Sequence, residues 1–76
     1  MTDKYDVEIS DGDIIDIHQT VNGQNLFVVS INDDREYSVT YLDGRPYEYD
    51  TMELLEANIY GEKELEIVAN KIRNIR

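Results

Sequence analysis

The side chains that could do chemistry in this sequence are its carboxylates and one histidine. Seventeen of the 76 residues are aspartate or glutamate, and there is no cysteine. A serine nucleophile needs a base within hydrogen-bond reach, and His18 lies in a predicted strand without a recognisable orienting partner. A carboxylate pair acts as acid and base only where burial raises one pKa, and a short chain has little room for an enclosed cleft. We therefore expect no catalytic residue and no enzyme.

Two stretches rich in aspartate invite a test for calcium ligands. SDGDIIDIH (10–18) and INDDREYSV (31–39) both lack the EF-hand order of ligands, with Asp at positions 1, 3 and 5, Gly at 6 and Glu at 12. Asp and Asn are common in tight loops because they accept local backbone hydrogen bonds. One histidine without cysteine does not make a zinc site. The sequence predicts no metal site and no cofactor.

The net charge of −10 limits the partners. Phosphate backbones and anionic membranes would be repelled, so direct nucleic-acid binding and membrane binding are not expected. The charge favours a basic protein as partner, and simple solubility is the alternative. The longest apolar run is LFVV (26–29), and MTDKYDVEIS (1–10) has no apolar core of signal-peptide length. We expect a cytoplasmic protein.

Alternating apolar residues predict four antiparallel strands in a meander. They run over residues 5–9, 15–21, 26–31 and 37–41. In the third and fourth, Tyr37, Val39 and Tyr41 should continue the apolar face formed by Phe27, Val29 and Ile31.

The turn between the second and third strands sets which residues pair. A two-residue Asn22-Gly23 turn would pair Ile17 with Val28 and separate the apolar sets. A three-residue turn over 21–23 would pair Ile17 with Phe27 and keep them together. We therefore predict the three-residue turn.

After residue 50 the apolar spacing becomes helical. Asp50 and Glu53 have the spacing of a capping box, which predicts a short helix from Thr51 towards Asn58. Residues 62–75 predict a longer helix, with its apolar stripe at Leu65, Val68, Ala69, Ile72 and Ile75. The expected fold is α+β: a four-stranded antiparallel meander followed by two C-terminal helices packed on one face. Residues 1–76 form one domain.

The candidate partner-binding surface consists of carboxylates, tyrosines and two apolar residues. Alternate strand residues are about 6.7 Å apart, a spacing similar to that of successive backbone phosphates. Leu26 and Val28, with Ile14 and Leu42, would form an apolar patch beside the acids. The predicted contact residues are Asp6, Glu8, Asp16, Leu26, Val28, Asp33, Asp34, Glu36, Asp43, Tyr47, Glu48, Tyr49 and Asp50.

In size and charge the chain resembles the small acidic inhibitors of phages and mobile elements, including anti-CRISPR proteins and other DNA mimics. It is also similar in kind to the immunity proteins that neutralise basic nuclease toxins. No motif matches, so no functional residue is carried over. The resemblance implies a non-enzymatic inhibitor that occupies a basic, nucleic-acid-binding surface of another protein. Two alternatives remain: an immunity or antitoxin protein, and an acidic housekeeping domain that forms a homodimer through Leu26 and Val28.

Overall fold

The structure is a computed structural model that describes residues 1–70, except for the side chain of Ile59. Over these residues the chain forms six strands and one helix. The strands are β1 (Asp13–Val21), β2 (Gln24–Ile31), β3 (Tyr37–Tyr41), β4 (Asn58–Ile59), β5 (Glu62–Lys63) and β6 (Glu66–Asn70), and the helix α1 spans Thr51–Glu56. One antiparallel sheet has the strand order β3-β2-β1-β6, and β4 and β5 form a separate hairpin.

The pairing of β2 with β3 is as predicted. Phe27 lies opposite Tyr41, Val29 opposite Val39 and Ile31 opposite Tyr37. The apolar residues of both strands therefore share one face, which we call the inner face. The register follows directly from the alternation of side chains along each strand.

The turn between β1 and β2 differs from the prediction. Val21 pairs with Gln24 across a two-residue Asn22-Gly23 turn, in which both residues have positive φ, 51° and 78°. This is the usual geometry of a type I′ hairpin. The predicted three-residue turn and the pairing of Ile17 with Phe27 are wrong.

A bulge in β1 keeps the apolar sets together despite the short turn. Between the pairs Asp16–Leu26 and Val21–Gln24, β1 takes five residue steps while β2 takes two. His18 lies in this bulge with φ 55°. β1 therefore has three more residues than β2 in this interval, and an odd number moves each β1 side chain beyond the bulge to the other face of the sheet. As a result, Ile15 pairs with Phe27 on the inner face.

Residues 5–9, predicted as a strand, form a turn with a single bridge between Thr2 and Glu8. The Asp3 carboxylate accepts hydrogen bonds from the backbone N–H groups of Tyr5 (2.8 Å) and Val7 (3.0 Å), and Asp6 has φ 65°. A side chain that binds backbone donors competes with strand pairing, so the alternation in this segment was misleading.

The predicted α+β fold with two C-terminal helices is also wrong, because residues 1–70 contain one six-residue helix, and the segment predicted as a helix over residues 62–75 forms strands where it is described. Residues 62–63 form β5 and residues 66–70 form β6, which pairs with β1 and takes the fourth place in the sheet. The apolar residues of this segment fit two patterns equally well: Leu65, Ile67 and Ala69 have the alternation of a strand, and Leu65, Val68 and Ala69 have the spacing of a helix. The strand forms because it can pair with the free edge of β1. Residues 71–75 of the predicted helix lie outside the described residues.

The short helix is as predicted at its start. The Asp50 carboxylate accepts hydrogen bonds from the N–H groups of Met52 (2.9 Å) and Glu53 (3.3 Å), and α1 begins at Thr51. Leu54 and Leu55 of α1 pack in the core on the inner face with Ile15 and Phe27. Within residues 1–70, no helix has the length and apolar character needed to cross a membrane.

Chain segments lie against both edges of the four-stranded sheet. At β3, the Tyr47 N–H donates to Val39 O (3.3 Å), and Thr40 forms a bridge with Pro46. At β6, the Ile67 N–H donates to Asp3 (3.2 Å), and the Lys4 N–H donates to Leu65 O (2.8 Å) just before the strand. Other segments of the chain therefore cover part of each edge of the sheet.

Candidate binding surface

The predicted contact residues do not form one surface. They are divided among the outer face of the sheet, the end of the molecule near the β2–β3 loop, and the opposite end near residues 43–50, with Asp6 apart in the N-terminal turn. The two ends are separated by the length of β2, about 3.3 Å per residue over its eight residues. Each location therefore has to be judged on its own contacts.

Near the β2–β3 loop, two of the four predicted acids are bonded within the described part of the chain. Glu8 binds the N-terminal ammonium (2.6 Å), and Glu36 accepts a hydrogen bond from Asn32 Nδ2 (2.9 Å). Asp33 and Arg35 line a cleft of about 440 Å³ with Glu8 and the N-terminal residue, while Asp34 is exposed in the same loop. This cleft already contains cations of the chain itself.

The outer face of the sheet carries Asp16, Leu26 and Val28. Asp16 accepts hydrogen bonds from the backbone N–H of His18 (2.8 Å) and from Asn25 Nδ2 (3.0 Å), so it stabilises the bulge. The His18 imidazole lies 3.0 Å from Glu66. Leu26 is half-buried and Val28 is only 7% exposed, so the predicted apolar patch offers little area at its centre.

Tyrosine rings and carboxylates come together at the opposite end. We call Tyr47, Glu48, Tyr49, Asp50 and Glu53 the tyrosine end. The rings form a row that leads outward from the core. The distance between ring centroids is 5.5 Å for Phe27 and Tyr47 and 5.6 Å for Tyr47 and Tyr49, and both pairs are edge-to-face. Tyr49 is 61% exposed. The outermost ring is therefore accessible yet supported by a buried neighbour.

Hydrogen bonds fix this segment to the sheet. The Tyr41 hydroxyl donates a short hydrogen bond to Glu48, and Asn22 Nδ2 donates to the same hydroxyl (3.0 Å). The bond from Tyr41 lowers the pKa of Glu48 below its ordinary value and raises the pKa of Tyr41. Both directions follow because the carboxylate form of Glu48 is the better acceptor. Glu48 is therefore held in its charged form beside the rings.

A cleft of about 300 Å³ opens between the tyrosines and α1. Tyr47 and Tyr49 form one wall, Leu54 and Ala57 of the α1 region form another, and Gln19 and Val21 of β1 complete it. The carboxyl-bearing residues Asp50 and Glu53 also line the cleft.

The two carboxylates of the cleft differ in their bonding. Asp50 caps α1, whereas Glu53, although it has capping-box spacing, makes no return bond to the Asp50 N–H among the described residues. The Tyr47 pKa is raised, first by burial and then by the negative charges around it, including those of Glu48 and Glu53. The cleft is therefore an electronegative site with aromatic walls.

Sequence reasoning identified Asp43, Tyr47, Glu48, Tyr49 and Asp50 in this region but did not connect them with the rest of the cleft. Asp43 does not line the cleft and accepts a hydrogen bond from Arg45 Nε (2.8 Å). The residues missed are Gln19, Val21, Glu53, Leu54 and Ala57. Glu53 could have been found from its place in the first turn of a helix that Asp50 begins. Gln19 could not, because its position depends on the bulge in β1.

Among residues 1–70, no group of three His, Cys, Asp or Glu side chains could hold a metal ion. Comparison with protein-family models, curated proteins and solved structures finds no match to this chain.

Proposed function

We propose that this protein is a non-enzymatic inhibitor that binds a basic, nucleic-acid-binding surface of another protein through its tyrosine end. The observation that carries the proposal is the exposed Tyr49 ring beside the carboxylates of Glu48, Asp50 and Glu53. The partner would be a basic protein, in the cytoplasm. The carboxylates would take the places of backbone phosphates on the partner.

Charge and aromatic surface have separate parts in this proposal. Acids distributed over the whole molecule would accelerate encounter with a positively charged partner, an effect that salt screens. Charge alone gives little net affinity, because surface ion pairs contribute only about 0–1 kcal/mol each. Tyrosines are among the residues that dominate binding energy in interfaces. Tyr49, supported by Tyr47, is the anchor.

The two alternatives receive different support. An immunity or antitoxin protein would use the same surface, so only the identity of the partner distinguishes it from a mimic of nucleic acid. A homodimer through Leu26 and Val28 is supported less, because Val28 exposes only 7% of its surface. We retain the inhibitor as the leading proposal.

The test is capture of the partner from the native host on immobilised protein, followed by competition. We expect a basic protein that is retained at low salt, is released as salt rises from about 50 to 200 mM, and is displaced by the nucleic acid that it binds. A Tyr49→Ala, Glu48→Gln variant should retain much less of it, whereas the matched control Tyr5→Ala, Glu36→Gln should retain it.

Two outcomes would contradict the proposal, and two others would support one of the alternatives. The proposal is contradicted if no basic protein is recovered. It is also contradicted if the captured partner binds its nucleic acid and this protein simultaneously. A toxin nuclease whose activity is blocked, with no competition for nucleic acid, would support the immunity alternative. Sedimentation of the isolated protein as a dimer that Leu26→Glu dissociates would support the homodimer.

A further inference from the structure

The cleft between Tyr47, Tyr49 and α1 has the chemistry of a site for a planar cation. Its aromatic walls attract positive charge through the ring faces, and Asp50 and Glu53 supply carboxylates. No lysine or arginine from the described residues lines it. Unlike the cleft at the β2–β3 loop, which contains Arg35 and the N-terminal residue, it has no cation of its own.

The chain itself provides a precedent a few residues away. The Arg45 guanidinium lies 4.9 Å from the centroid of the Tyr41 ring, and its Nε donates to Asp43 (2.8 Å). One guanidinium is thus held between a tyrosine face and a carboxylate. The cleft repeats the tyrosine and the carboxylate but lacks the guanidinium.

We propose that this cleft binds an arginine side chain of the partner protein, with its guanidinium against Tyr49 and paired with Glu53. This inference rests on the proposed function and specifies its central contact. Arginine is favoured over lysine because its planar group stacks on rings and pairs with carboxylates through two donors, and it is less strongly hydrated. The volume, about 300 Å³, is at the lower end of the range of roughly 300–1,000 Å³ for ligand sites, which suits one side chain.

The first experiment uses the isolated protein and a small probe, N-acetyl-arginine amide, in an NMR titration at low salt. We expect saturable shifts of the Tyr47 and Tyr49 ring resonances and of the Gln19 and Ala57 amides. N-acetyl-citrulline amide, which has a similar shape without the charge, should cause little change. N-acetyl-lysine amide should bind more weakly than the arginine probe.

Variants locate the site. Tyr49→Ala and Glu53→Gln should each weaken arginine binding about two- to five-fold, the range expected for one exposed cation–π or ion-pair contact. The matched controls are Tyr5→Ala and Glu36→Gln, which remove an exposed tyrosine and an exposed acid elsewhere and should change binding by much less. Amide spectra of all four variants would establish that the fold is retained.

The inference is overturned if shifts spread over all acidic surfaces, if citrulline binds as well as arginine, or if Glu36→Gln weakens binding as much as Glu53→Gln. Its failure differs from failure of the proposed function. A captured basic partner whose affinity is lowered by Tyr49→Ala but unchanged by Glu53→Gln would leave the function standing and remove the arginine site. Saturable binding of the arginine probe, with no basic partner recovered, would support the arginine site and contradict the proposed function.

Discussion

Asp3 connects the N-terminal turn to β6 through one carboxylate. One of its oxygens accepts the N–H groups of Tyr5 and Val7, and the other accepts the N–H of Ile67 (3.2 Å). Burial by itself would raise the Asp3 pKa, but the three backbone donors outweigh it, and the pKa lies below its ordinary value of 3.8. The folded state therefore favours the ionised group.

The sign of this pKa shift predicts a loss of stability in acid. The contribution of Asp3 to the free energy of unfolding is fully present above pH 3.8, the ordinary pKa of the group. It is lost as the pH falls through the lower pKa of the folded state. Asp3→Asn replaces one acceptor by a donor facing Ile67, so we expect it to be about 1–3 kcal/mol less stable at pH 6. Its stability should also change less between pH 5 and 2.

Urea denaturation at several pH values would measure this. Asp33→Asn, in the exposed β2–β3 loop, is the control and should behave like the unchanged protein. Equal slopes of stability against pH for Asp3→Asn and the unchanged protein would show that Asp3 is not the group responsible.

Among the elements, those predicted correctly are the ones whose local pattern agrees with their neighbours. β2 and β3 alternate clearly, and their register follows from Phe27 opposite Tyr41. The tyrosine end was predicted only in part, because Tyr47 and Asp50 were identified while the β1 residues of the cleft depend on the bulge at His18. The segment at 62–70 fits helix and strand equally, and only the free edge of β1 decides between them.

The Asn22-Gly23 turn gives a prediction about backbone conformation. Gly23 has φ 78° with open space where a Cβ would be. Gly23→Ala should therefore destabilise the protein by about 1–2 kcal/mol through backbone conformation rather than through a clash. Thermal unfolding would measure the change.

D-alanine at position 23, introduced by chemical synthesis, is the matched control, since it favours positive φ. It should leave the stability nearly unchanged. Equal destabilisation by both alanines would contradict this explanation.

The end of β6 depends on a buried polar pair. Asn70 Nδ2 donates to Asp13 (2.7 Å) and to Asp11 O (3.2 Å), and the Ser10 N–H also donates to Asp13 (2.7 Å). Asn70→Leu removes a donor from a buried carboxylate, so we expect a loss of roughly 1.5–3 kcal/mol. Hydrogen exchange of the β6 amides should increase before that of β2.

The double variant Asp13→Leu, Asn70→Leu tests the mechanism. The double variant removes the buried carboxylate together with its donor but leaves the Ser10 N–H without that acceptor. Because an unmatched N–H costs less than an unmatched charged group, part of the stability lost in Asn70→Leu should return. A double variant that is less stable than the sum of the two single changes would argue against the pair as the cause.

Across the whole molecule, negative charge is distributed over both ends and one sheet face rather than gathered on one side. With a net charge of −10, this distribution opposes folding through self-repulsion. Several of the acids nevertheless hold structure locally, as Asp16 does at the bulge and Glu48 does with Tyr41. Composition gives the net charge but not where the acids lie, and the predicted contact acids are divided among three places with Asp6 apart.

Self-repulsion predicts that salt stabilises the isolated protein. Raising NaCl from about 20 to 200 mM shortens the screening length, and we expect the melting temperature to rise. At this chain length about 1 kcal/mol corresponds to roughly 4–8 °C. The control variant Asp33→Lys, Asp34→Lys should show a smaller rise, and a melting temperature that falls with salt would mean that ion pairs outweigh repulsion.

The segments along β3 and β6 restrict how this protein can recognise anything. Pro46 and Tyr47 occupy one border of the sheet, and Asp3 and Lys4 lie along the other at Leu65 and Ile67. A guest peptide that joins a sheet as an additional strand needs a row of free main-chain donors and acceptors. Because part of each border is already occupied within the described residues, we expect a partner to be held mainly by side chains.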